Sequence, residues 1–129
     1  MKRQVVVFLC FFSLSRLFAQ QGEVITQAAE AIKAGSAREL ARFFPATIDI
    51  TLEGKPGNYS KAQGELVLRD FFRAHPPAEF SLIHRGQSKG GQPFAIGQYK
   101  SGPDTYRVWL KMRVSGSQQF IEEISFVKQ

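Results

Sequence analysis

The sequence predicts an α+β fold of two layers, with three helices covering one face of an antiparallel sheet. Three observations lead there. The stretch before Pro77 holds three segments with the apolar spacing of amphipathic helices. Everything after Pro77 alternates like strands separated by Gly-rich loops. The length of 129 residues is enough for one compact domain behind a short leader, but not for two.

The leader comes first. Lys2 and Arg3 form a basic start, Val5 to Phe12 (VVVFLCFF) an apolar core, and Ser13 to Ala19 the approach to a cut after Ala19. Eight unbroken apolar residues fall short of the roughly 20 that span a bilayer, and Arg16 interrupts their extension. The expectation is a signal peptide over residues 1–19 and a single exported domain over 20–129, periplasmic and free of the membrane after cleavage. Cys10 is the only cysteine and lies in the leader, so neither disulfides nor thiol chemistry is expected in the mature chain. Leu9 stands where a lipobox wants a small residue, which argues against lipidation. Four of the 12 Phe also leave with the leader, and the remaining eight build the core. The formal charge of +6 loses Lys2, Arg3 and Arg16, leaving 14 basic against 11 acidic residues, or +3. The bases are scattered, with no run of three, so no nucleic-acid partner is expected.

Within the mature chain, Ile25, Ala28, Ala29 and Ile32 give a first helix over Glu23 to Ala34, ended by Gly35. Ser36 and Glu39 have capping-box spacing and open a short second helix from Ala37 to about Phe44. Thr47 to Leu52 (TIDITL) alternates as a strand, and Gly54, Pro56 and Gly57 form the turn after it. Ser60 and Gln63 cap a third helix from Lys61 to about Ala74. Its stripe of Val67, Leu68, Phe71 and Phe72 continues into His75 before Pro76 and Pro77 stop it. Four strands follow, at Glu79 to Arg85, Pro93 to Tyr99, Thr105 to Val114 and Gln118 to Lys128. Matching their apolar faces aligns Leu82, Ile96, Val108 and Ile124 in one row. Phe80, Gln98, Tyr106 and Phe126 make the next, and His84, Phe94, Leu110 and Glu122 a third.

This order of elements resembles the nuclear-transport-factor-2-like superfamily, in which a curved sheet wraps a long helix as a cone. The segments AIKAGSARELARFF, TIDITLEGKPGNYSKAQGELVLRDFF with HPP, and FSLIHRGQ resemble an uncharacterised family of small exported Bacteroidota proteins within it, a domain of unknown function. The resemblance implies a cystatin-like cone over the mature chain and no assigned activity. The superfamily holds isomerases, dehydratases and non-catalytic binding modules alike, so fold alone does not decide function.

Polar side chains expected on the inner face are the candidates for a ligand site: His84, Gln98, Tyr106 and Glu122, with Tyr59 as a further donor. His84 and Glu122 share a row but stand three strands apart, roughly 14 Å in a flat sheet, too far for a direct dyad. The superfamily's steroid isomerases imply a base and a hydroxyl donor in an apolar pocket, with an Asp as base. No Asp falls on the inner face of the meander here, which leaves Glu122 as the alternative base with His84 or Tyr106 as donor. No HExxH, clustered Cys and His, GxSxG or Walker motif is present, so no metal or cofactor is expected. On the outer face Trp109, Ile121 and Arg107 read as an interface, with a homodimer as the expected partner. The leading expectation is an exported, non-enzymatic binding or scaffold domain that takes a small apolar ligand in its cone. The alternatives are an isomerase- or lyase-like enzyme using Glu122, and an interaction module with a filled core.

Overall fold

Apolar periodicity and two serine caps shape the helical layer. The computed structural model describes residues 24–129, so the expected leader and Cys10 lie outside the described residues. Ile25, Ala28 and Ile32 fall on the buried side of α1 (Val24–Ala34). Gly35, at φ +66°, ends it: its N–H reaches the Ile32 carbonyl at 3.0 Å, and the Ser36 N–H reaches Ala31 at 2.9 Å. The Ser36 hydroxyl then accepts from the Glu39 N–H at 3.2 Å and opens α2 (Ala37–Ala41). Tighter turns carry the chain on to Phe44. Ser60 caps α3 (Lys61–Ala74) in the same way through the Gln63 N–H.

The strands are β1 (Thr47–Leu52), β2 (Lys55–Ser60), β3 (Glu79–Gln87), β4 (Pro93–Ser101), β5 (Asp104–Ser115) and β6 (Gln118–Lys128). They form one curved sheet in the order β2-β1-β6-β5-β4-β3. Neighbours are antiparallel except β1 and β6, which run parallel. β2 is an element that the sequence reading placed in a turn. The turn itself is only Glu53 and Gly54, both at positive φ, as a two-residue hairpin requires. Pro56 and Gly57 sit in an edge strand, where a missing N–H and a missing side chain are tolerated.

The register differs from the sequence expectation by one residue in β4 and by two along much of β6. Leu82 pairs with Gly97, Gly97 with Val108, and Val108 with Phe126. The two-residue turns set the first residue of each shift, with Ser101 paired to Asp104 and Ser115 to Gln118. A bulge opposite Lys111 and Met112 adds the second in β6, and another bulge lies between Leu82 and His84 in β3. The consequences follow from the two-residue period of a strand. Ala95, Gly97 and Tyr99 line the inner face, whereas Phe94, Ile96 and Gln98 turn outward. His84 moves to the outer face past its bulge, and Ile121, expected on the outer face, is fully buried opposite Met112.

The inner face is packed with aromatic rings from both layers. Phe71 of α3 lies 4.6 Å from Phe126 and meets Tyr106 edge-on at 5.4 Å. Phe72 stands edge-on to Phe126 at 6.1 Å, and Phe80 lies beside Tyr99. Tyr99, Tyr106 and Phe126 are fully buried. Gly97 makes room for this packing, because a Cβ there would lie 2.5 Å from the Phe80 ring.

Candidate functional site

Two places bring polar side chains together, one at the end of the aromatic core and one on the opposite face of the sheet. At the core end, the Tyr106 hydroxyl lies 3.2 Å from His75 Nδ1 and 3.3 Å from Glu53 Oε1, and His75 Nε2 lies 3.3 Å from the same carboxylate oxygen. The Tyr99 hydroxyl donates to the His75 carbonyl. His75 is the C-cap of α3, and Glu53 sits in the β1–β2 turn, so the cluster ties the helix end to strands β4 and β5 and to a hairpin. Burial raises the pKa of both tyrosines, and the neighbouring Glu53 carboxylate pushes Tyr106 further in the same direction.

Glu53 is the only non-glycine among the described residues at positive φ, +52°, a conformation disfavoured by about 1–2 kcal/mol for a side chain with a Cβ. Its N–H donates to Phe126 at 3.1 Å and its carboxylate meets His75 and Tyr106, which accounts for a Glu where a hairpin favours Asn or Gly. Sequence reasoning did not single out this cluster. The usable signal was His75 continuing the apolar stripe of α3; Glu53 gives none, because its partners are distant in sequence.

The opposite face is ordered by register into cross-sheet rows. Asn58, Asp49, Glu123, Lys111, Phe94 and Gly86 form one row across all six strands. Pro56, Thr51, Ser125, Trp109, Ile96 and His84 form the next. The Phe94 and Trp109 rings are 25° from parallel with centroids 6.5 Å apart, and the His84 ring stands 5.6 Å from Phe94. Gly86 leaves space for Phe94, since a Cβ there would lie 2.9 Å from its ring. Over this platform lies a hollow of about 490 Å³, bounded by Phe94, Trp109, Lys111, Glu123, Ser125 and Val127, with Ser88 and Gln92 from the β3–β4 loop. Gln92 Nε2 donates to Glu122 Oε2 at 2.6 Å, so the loop is fastened to the bulge of β6 across the hollow's rim.

The sequence candidates therefore divide. Tyr106 is on the inner face as expected, but it is sealed beneath Phe71, and Tyr59 is half-buried beside Gly57. His84 and Gln98 are exposed on the outer face, and Glu122 is turned to the outer rim by its bulge. These placements correct the expected inner-face cluster: Glu122 and His84 lie across the sheet from Tyr106, so the three do not converge as base and donors. Of the expected interface, Trp109 is 44% exposed and Arg107 is exposed beside Val127, while Ile121 belongs to the core. Among the described residues no group of three or more His, Cys, Asp or Glu is arranged to hold a metal ion. No described helix is long and apolar enough to cross a membrane.

Comparison with known proteins agrees with the fold. Residues 25–126 match the family model described as a domain of unknown function, DUF4783, and the chain belongs to that family. A DUF4783 protein from Bacteroides ovatus superposes with a TM-score of 0.74 at 22% identity, covering 80% of this chain and 93% of its own. An NTF2-like protein of unknown function from Shewanella baltica gives 0.63 at 11% identity, covering 89% and 95%. A domain of unknown function with a cystatin-like fold from Nostoc punctiforme gives 0.64 at 11%, covering 82% and 73%. No curated protein matches the chain. The expected NTF2-like, cystatin-like fold is thereby shown.

Proposed function

We propose that the protein is an exported, non-enzymatic binding domain whose ligand site is the outer hollow around Trp109 rather than the inner cone. The observation that carries this reading is the contrast between the two faces. The inner face is filled by Phe71, Phe72, Phe80, Tyr99, Tyr106 and Phe126, whereas the outer face keeps a hollow of about 490 Å³ above two exposed or half-exposed aromatic rings. That volume lies within the range of about 300–1,000 Å³ typical of small-ligand sites, and an aromatic floor with a few polar groups is their usual lining. The leader motif supports export.

Native mass spectrometry of the mature chain isolated from its own host tests the reading. The expected spectrum shows a retained small molecule that is absent from Trp109→Ala prepared identically. Both proteins at their own bare chain masses, with no added molecule on either, would contradict it. A second reading, in which two copies pair through this face, is favoured by the exposure of Trp109 at 44% and of Val127 at 40%. It expects twice the chain mass in the same spectrum, reduced to a monomer by Trp109→Ala.

A further inference from the structure

The lining of the outer hollow also selects a ligand class, an inference that rests on the binding reading above. The near-parallel rings of Phe94 and Trp109 form a platform with an electron-rich face, against which the C–H groups of a flat ring can lie. The groups around it are mixed in hydrogen-bonding character. The Lys111 ammonium only donates and the Glu123 carboxylate only accepts, while Ser88, Ser125 and the Gln92 amide do both. Lys111 and Glu123 are direct cross-strand partners, so opposite charges face the ligand side by side. Gln92 is oriented by its bond to Glu122, which occupies one of its two amide hydrogens and leaves the other, with the carbonyl oxygen, for a ligand.

Each simple ligand class fails against some part of this lining. An aliphatic chain would desolvate these polar groups without pairing them, and a buried unpaired donor or acceptor costs about 1–3 kcal/mol. An anion would meet Glu123, and a cation would meet Lys111. A neutral ring bearing several hydroxyl groups uses both kinds of partner, because each hydroxyl donates and accepts. We propose that the outer hollow is a saccharide site, in which a neutral sugar ring lies on Trp109 and Phe94 and its hydroxyls pair with Lys111, Glu123 and Gln92.

Trp109 is the only tryptophan, so its emission reports on this hollow alone. The mature chain is titrated with neutral trisaccharides of glucose, mannose, galactose and N-acetylglucosamine, with trigalacturonate as the charged counterpart and laurate as the aliphatic one. At least one neutral trisaccharide should shift the emission saturably, with half-saturation at or below about 1 mM, a binding free energy of about 4 kcal/mol. Trigalacturonate should bind at least ten-fold more weakly. Phe94→Ala and Gln92→Ala, both of which retain the fluorophore, should each weaken the neutral sugar by at least ten-fold and five-fold respectively. A saccharide response unchanged in both variants would overturn the proposal. So would a saturable response to laurate with none to any saccharide, although the binding reading would then stand. Silence with every probe, together with a dimeric mass, would overturn both.

Discussion

Tyr106 illustrates how a residue that resembles a catalytic donor can be structural instead. Its hydroxyl is enclosed by His75 and Glu53 and its ring by Phe71, so the neutral phenol is the form the fold accepts. The pKa values of Tyr106 and Tyr99 are raised in the folded chain. Their stabilising contribution is thus fully present below the ordinary tyrosine value of about 10 and is lost as pH rises through the higher folded values. Above pH 10 the unfolded chain sheds these protons first, which draws the equilibrium toward unfolding. Urea midpoints should accordingly stay level to about pH 9 and fall beyond pH 10, and Tyr106→Phe should flatten that fall while costing about 1 kcal/mol at pH 7. A midpoint for the parent that is flat from pH 9 to 11 would contradict the account. The chemical type of these residues was legible in the sequence, and so was the inner position of Tyr106. Their partners were not, because Glu53, His75 and Tyr106 meet only through the hairpin, the helix end and the sheet together.

Among the elements, helices were easier to read than strand register, for a physical reason. A cap is a local hydrogen bond, and Ser36 and Ser60 form theirs with residues three positions away. Ser60→Ala should lower stability by about 1 kcal/mol, measured as a lower urea midpoint with unchanged slope. Register depends instead on where each hairpin closes and where bulges fall, and neither the bulge at Ile83 nor that at Glu122 has a local sequence mark. The bulge beside Gly97 is in β3, and the Phe80 ring covers Gly97 itself. Gly97→Ala should therefore cost about 1–3 kcal/mol in chemical denaturation, since the new methyl must displace that ring and also sits 3.1 Å from the Ser81 carbonyl. The β3–β4 loop offers a separate check. Gln92→Ala removes its tie to Glu122, so amide exchange over residues 88–92 should accelerate while exchange in β5 stays unchanged.

For the whole molecule, the two faces of one sheet differ in how they are built. The inner face closes over aromatic rings and holds the helices, and the outer face carries an aromatic platform, a fastened loop and a hollow. The helix order, the long final hairpins and the family were readable from the sequence, because periodicity and turn chemistry carry them. Which aromatics face which side was not, since a single slipped residue in β4 exchanges Phe94 for Tyr99 between core and surface. The most direct test is amide chemical-shift mapping of the mature chain during titration with phenol and the neutral trisaccharides. The account predicts shifts gathered on Phe94, Trp109, Lys111, Glu123 and Ser125; shifts gathered instead on Phe71, Tyr99, Tyr106 and Phe126 would place the ligand in the cone and contradict it.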